Sequence, residues 1–215
     1  MKIKWLGHAS FLITSDTGTK IITDPYKTGG PLSYGEITES ADIVTISHEH
    51  GDHNNAAAVR GNPEIIKGAG TKEVKKINFK GLPTYHDAGG GKQRGANTIF
   101  CFEADGIKVC HLGDLGHQLS DKEIAEMGKV DIILAPVGGN FTIDAKGATD
   151  VCSKLSPKVI MPMHYKNDKC GYPISGVDEF LQNKKNVSRL NASEVEFKKE
   201  KLPTATQIIV LKPAL

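Results

Sequence analysis

Apolar and polar residues alternate in short bursts along the first half of the chain. "KIKWL" (2–6), "SFLIT" (10–14), "KIIT" (20–23) and "ADIVTIS" (41–47) each read as a strand, with turn-rich "SDTGT" and "KTGGPLSYG" between them. The alanine run of "HNNAAAVRGN" (53–62) suits a short helix stopping at Gly61. "PEIIKG", "VKKINFKGLPTYH", "NTIFCFEADG" and "KVCHLGD" are again strand-like, and "ADG" reads as a hairpin turn. "SDKEIAEMG" has a helix start at Ser120 or Asp121 and a glycine stop at Gly128.

From there strands and helices alternate: "VDIILAPVGG", then the helix "DAKGATDVCSKLS", then "PKVIMPMH", the helix "GVDEFLQNKK" and a last strand "QIIVLK". Strands first and alternation afterwards predict an α/β protein, with sheets covered by helices. No linker-like stretch interrupts residues 1–215, so one domain is expected. The lysine-rich segment 184–201 reads as a solvated face.

Composition narrows the classes. At 39% hydrophobic and 24% charged, the chain can bury a core. A net charge of +2 argues against a nucleic-acid or membrane partner. No signal-peptide core and no run of eighteen apolar residues occurs. Cys101, Cys110, Cys152 and Cys170 form no C-x-x-C pair and are expected to be reduced thiols in a cytoplasmic protein.

"SHEHGDHN" (47–54) then stands out, holding three of the eight histidines beside a glutamate and an aspartate. "DIVTI" is a buried strand by pattern, and His48 lies just past its end. Residues two apart in an extended chain point the same way, so His48 and His50 can meet on one ion. Gly51 permits a sharp turn that sends Asp52 and His53 to a second. Imidazoles with a carboxylate suit Zn²⁺, Mn²⁺ or Fe²⁺ rather than Ca²⁺ or Mg²⁺. Four side chains cannot complete two ions, so further ligands are expected at strand ends. His86 in "PTYHDAGGG", Asp114 in "VCHLGDLGH" and His164 in "VIMPMHY" qualify.

The ordered set H-x-H-x-D-H, lone His, G-D and late His resembles the metallo-β-lactamase superfamily. "ITDP", "HLGD", "PVGGNFTID" and "MPMHY" look closer to its metal-dependent hydrolases related to ascorbate-6-phosphate lactonase. The resemblance runs in order from about His8 to Tyr165. It implies an αββα four-layer sandwich, two mixed β-sheets flanked by helices, with metals at one edge. It also implies His48, His50 and His86 on one ion, Asp52, His53 and His164 on the other, and Asp114 bridging. Asp24 matches the aspartate that steadies the metal loop from behind.

Departures narrow the subfamily. Position 53 is His and no cysteine stands among the ligands, which disfavours penicillin-degrading members. His50 replaces the carboxylate of diiron relatives, and the chain has no spare length for the arm of RNA-processing ones.

Two divalent ions, Zn²⁺ or Mn²⁺ with Fe²⁺ as a further option, would generate a bridging hydroxide. That hydroxide would attack a small-molecule ester, lactone, phosphodiester or amide, with Asp52 orienting it or accepting its proton. The alternatives are a nuclease on the same scaffold and a non-catalytic metal-binding or sensing protein. Oligomeric state stays open. His8, Arg94 and Asn140 are candidate substrate contacts, with Arg94 fit to grip an anion bidentately. For His8 and Asn140 a structural histidine and a turn-forming asparagine compete. The Gly89–Gly95 loop carries Lys92 and Arg94 and is a candidate lid; His111 reads as a packed core histidine and His117 as a loop residue.

Overall fold

The computed structural model describes residues 1–215, and their apolar runs become fourteen strands in two sheets. The first sheet contains β1 (Lys2–Gly7), β2 (Ser10–Thr14), β3 (Lys20–Thr23), β4 (Ile43–Ile46), β5 (Glu64–Lys67) and β13 (Glu194–Glu196), in the order β13-β1-β2-β3-β4-β5. The second contains β6 (Gly70–Val74), β7 (Ile77–Tyr85), β8 (Ala96–Ala104), β9 (Ile107–His111), β10 (Ile132–Pro136), β11 (Val159–Met163), β12 (Val187–Arg189) and β14 (Gln207–Val210). Its order is β12-β14-β11-β10-β9-β8-β7-β6. Both sheets are mixed, as expected.

The sheets pack face to face over one continuous apolar layer. Trp5, Phe11 and Ile13 of the first sheet and Phe79, Phe100 and Phe102 of the second share it, all essentially out of water. Every residue of β10 and β11 is buried, which marks parallel strands covered on both faces. Burying one such side chain is worth about 1.5–3 kcal/mol.

Three helices, α1 (Asp121–Met127), α2 (Ala145–Leu155) and α3 (Val177–Leu181), cover the second sheet. α2 turns Ala148, Val151, Cys152 and Leu155 inward at helical spacing, and the Asp144 carboxylate caps it by accepting the Gly147 N–H at 2.7 Å. α1 begins at Ser120 with a capping box to Glu123, where the start signal placed it.

Over the first sheet the outer layer is an irregular segment instead. Tyr26, Leu32, Tyr34 and Ile37 pack there against Leu6, Ile22 and Val44. The helix expected over 53–62 shrinks to a 3-10 turn at Ala56–Ala58. Arg60 is drawn into extended pairing, its N–H donating to Glu39 and its carbonyl accepting from Ala41, so the chain cannot coil past Val59.

The hairpin at "ADG" has a consequence for the cysteines. Asp105 and Gly106 both have positive φ, +54° and +70°, as a two-residue turn of this hand requires. Such a turn pairs Ala104 with Ile107, and stepping back along the register sets Cys101 opposite Cys110. Their sulfurs are bonded, which corrects the expectation of four free thiols; Cys152 and Cys170 remain free and buried. A second such turn, at Lys75 and Lys76 (φ +53° and +63°), divides "VKKINF" into β6 and β7. It carries no glycine or asparagine, so it gave no turn signal.

Strand direction decides where the site lies. β1 and β3 both run antiparallel to β2, and β4 runs parallel to β3, so all three end at one edge. In the second sheet β7 and β9 flank the reversed β8, while β10 and β11 run parallel to β9. His8, Asp24, His48, His86, Asp114 and His164 each follow the end of one of these strands.

Candidate metal centre

Four imidazoles from three separate segments approach one carboxylate oxygen. Asp114 Oδ2 lies 3.2 Å from His86 Nε2, 3.3 Å from His53 Nε2, 3.3 Å from His164 Nε2 and 3.9 Å from His48 Nε2. The donor atoms of His48, His50 and His86 lie within 4.8 Å of one another, and so do those of His8, Asp52, His53 and His164. The seven residues expected as ligands are therefore brought together, and His8 joins the second group.

Asp24 aims two of these imidazoles. It accepts the Ser47 N–H at 2.7 Å through Oδ1, and both the Ser47 hydroxyl and His53 Nδ1 (2.9 Å) through Oδ2. Ser47 Oγ has spent its proton on Asp24, so at 2.9 Å it accepts from His48 Nδ1. Both His48 and His53 thus carry their proton on Nδ1 when neutral and turn the Nε2 lone pair toward Asp114. One buried carboxylate sets the tautomer of a histidine in each group.

The Asp114 loop is held from below. Asn97, at the start of reversed β8, accepts the Asp114 N–H through Oδ1 at 2.9 Å and donates Nδ2 to Thr84 and Leu112. Gly113, at φ +55°, leaves room for that amide: a β-carbon there would stand 2.4 Å from Asn97 Oδ1 and 2.5 Å from the Ser47 β-carbon. Backbone strain gathers at the same rim, where His8, Asp24 and His164 hold φ of +50°, +38° and +51°. Non-glycine residues are rarely held there, and such strain clusters at functional sites.

Electrostatics follow from burial. Burial pushes the His48 imidazole down to about 3, helped by the charge of His53. His8 falls to about 4, first through burial and then through neighbouring His164. Burial also works against charge on His53, but Asp114 and Asp24 flank it and raise it well above the ordinary histidine value. Asp114 resists burial in turn, and His164 and His53 hold it well below the usual carboxylate range. Asp52 is opposed by burial too, and its hydrogen bond from His8 Nε2 at 3.2 Å, with the charge of His53, keeps it low.

The residues fit metal binding on a direct test. His48 Nε2, His53 Nε2 and Asp114 Oδ1 are buried with no hydrogen-bond partner. Leaving such an atom unpaired costs about 1–3 kcal/mol, a cost that coordination would remove. Nitrogen donors with carboxylate oxygens suit Zn²⁺, Mn²⁺ or Fe²⁺.

A cavity of about 280 Å³ opens over the centre, walled by His50, Asp52, Arg94, Phe141 and Tyr172 among others. Arg94 stands in that wall with its guanidinium 5.4 Å from the Phe141 ring centroid. Asn140 does not line the cavity: its amide donates to the Pro173 carbonyl at 3.2 Å with φ +59°. The loop itself uses the amide, in the turn-forming role weighed for it in the sequence. His8 is fully buried and bonded to Asp52 from behind, so it too is removed from the cavity surface. His111 is a core histidine, accepting the Gly113 N–H on Nδ1 and therefore donating Nε2 to the Ala9 carbonyl. His117 lies apart from the ligand cluster, accepting the Tyr85 N–H.

Two residues escaped sequence reading. Tyr172 donates its hydroxyl to Asp52 Oδ2 at 3.2 Å, from the "KNDKCGYP" loop after His164, a stretch expected to border the pocket but with no one residue singled out in it. Asp87, next to His86, accepts backbone N–H groups of the glycine loop that follows. The only signal for Asp87 was an aspartate two residues before a glycine, an ordinary Asx-turn cue.

A family profile for the beta-lactamase superfamily domain matches residues 2–164. The chain belongs to the metallo-β-lactamase superfamily. A metal-dependent hydrolase of Carboxydothermus hydrogenoformans is 34% identical to it, over 83% of this chain and 88% of the relative. One of Pelotomaculum thermopropionicum is 32% identical, over 77% and 84%. The structure of a Thermotoga maritima protein, described as a Zn-dependent hydrolase of the superfamily, is 37% identical and superposes with a TM-score of 0.81, covering 98% of this chain and 97% of its own. Membership of the superfamily accounts for the two sheets and the site at their common rim. No helix is long and apolar enough to cross a membrane.

Proposed function

We propose that residues 1–215 act as one dinuclear metal-dependent hydrolase on a small, anionic molecule. The chain is a metal-dependent hydrolase of its superfamily; the ion count, the ligand roles and the substrate class are our own reading. The convergence of four imidazole nitrogens on Asp114 Oδ2 carries it. His48, His50 and His86 would hold one divalent cation and Asp52, His53 and His164 the other, with Asp114 shared. Zn²⁺ or Mn²⁺ suits the donors, and Fe²⁺ is a third choice. When bound, the cations would acidify a water and stabilise negative charge on an ester, lactone, phosphodiester or amide under attack.

The chain's own residues supply the rest. Asp52 Oδ2 is taken by His8 and Tyr172, while Oδ1 makes no hydrogen bond within the protein. Oδ1 is the atom that would orient the attacking water or take its proton. Arg94 makes no side-chain hydrogen bond or ion pair and offers its planar fork to a carboxylate or phosphate. The cavity is at the small end of ligand pockets, which favours a small molecule over a polynucleotide.

Protein purified without chelators should contain two transition-metal ions per chain by elemental analysis. Stripping should abolish hydrolysis of a lactone, phosphodiester, ester and amide panel, and Mn²⁺ or Zn²⁺ should restore it. Hydrolysis indifferent to stripping would falsify the reading.

A further inference from the structure

The glycine-rich stretch after His86 is tied along its length to one side chain. The Asp87 side chain is buried, and its two oxygens accept four backbone N–H groups: Gly89 at 2.7 Å and Gly91 at 3.0 Å through Oδ1, Gln93 at 2.9 Å and Arg94 at 2.8 Å through Oδ2. The loop also closes on itself and on the metal rim, Gly95 N–H donating to Gly91 and His86 N–H donating to Gly95, both at 3.0 Å. A carboxylate that accepts several backbone donors makes charge-assisted bonds, each stronger than a neutral one. Three glycines in a row would otherwise leave many backbone states open to this segment.

The loop ends at Arg94, whose guanidinium rests on Phe141 in the cavity wall with all its donors unspent. Phe141 in turn meets the ring of Tyr172 edge-on at 5.6 Å, and Tyr172 donates to Asp52. The guanidinium is thereby seated on the cavity wall, although no direct bond ties it to the centre.

We propose that Asp87 is a positioning residue for substrate: by gathering the loop's N–H groups onto its carboxylate it places the Arg94 fork where it takes a carboxylate or phosphate group of a molecule lying across the metal centre. This rests on the reading of Arg94 given above. Asp87 touches neither the substrate nor the ions. It sets specificity for anionic over neutral substrates by pre-ordering a long, flexible cation, which lowers the entropy lost on binding.

The test is a double-mutant cycle on the Mn²⁺-loaded protein, with inorganic phosphate as the probe in titration calorimetry. R94A should weaken phosphate binding on the order of tenfold, the scale of one charge-assisted contact. D87A and the isosteric D87N should weaken it comparably, and D87A/R94A should be no weaker than R94A alone. Manganese content should stay at the wild-type level in all four. Brief trypsin treatment, at a temperature where circular dichroism shows both proteins folded, should cut after Lys92 and Arg94 faster in D87A than in the wild type. Wild-type affinity in D87A and D87N, additive losses in the double variant, or manganese lost from D87A would each overturn the role of Asp87 while sparing that of Arg94. Phosphate binding indifferent to R94A would defeat the Arg94 reading first, and this one with it.

Discussion

The two halves of the metal centre are built differently. His48, His50 and His86 include an exposed member, His50, whose imidazole has no hydrogen bond and meets those of His48 and His86 only ring to ring, at 4.6 and 5.1 Å. In the other half His8, His53 and His164 are buried, and only Asp52 is partly exposed. His53 is tied to Asp24, and Asp52 is gripped by His8 and Tyr172. A preorganised, desolvated ligand set loses less on binding than one that must order an exposed imidazole. The buried half should therefore hold its ion more tightly, and the open half should face the substrate.

Removing the shared carboxylate should have the largest effect. Asp114→Ala should empty both halves, dropping metal content toward zero and abolishing hydrolysis; an ion retained in full would break the picture of a bridging group. His164→Ala and His50→Ala come next and sharpen the comparison. Each should lower metal affinity by more than the ~10–100-fold typical of an outer partner. His50→Ala should spare the tightly held ion, whereas His164→Ala should lose it. Graded chelation of the wild type should accordingly release metal in two steps, and a single step would remove the distinction between the halves.

Asp24→Asn should act more mildly, by about 10–100-fold in metal affinity, because it disturbs only the aim of two imidazoles. Both halves should weaken, since the carboxylate serves His53 directly and His48 through Ser47. Ser47→Ala should confine its effect to the open half. The smallest effect belongs to His117→Ala, which should leave metal content unchanged, its ring being spent on the Tyr85 N–H and the Gln118 carbonyl.

How much of this was legible is instructive at particular residues. H-x-H-x-D-H could be read because a strand period and one glycine suffice to send four side chains two ways. His86, Asp114 and His164 could be read because each closes an apolar run, and strand ends of one direction share an edge. The Cys101–Cys110 bond was legible in principle, since the recognised turn at Asp105–Gly106 sets its register, but the count of cysteine spacings pointed the other way. β12 and β13 hid in the lysine-rich tail, where two strands of three residues carry no apolar period.

The chain's order of apolar and polar positions was enough, by itself, to determine the longer strands, the glycine-marked turns and the residue types able to bind metal, because those depend on neighbours a few positions apart. Only the packed structure could decide that Asp24 serves two histidines, that Tyr172 reaches Asp52 from 120 residues away and that Asp87 reins in the glycine loop. Such contacts arise where buried donors and acceptors must find partners across the rim. Which partner lies within reach is set by how the two sheets meet, and no local pattern encodes that.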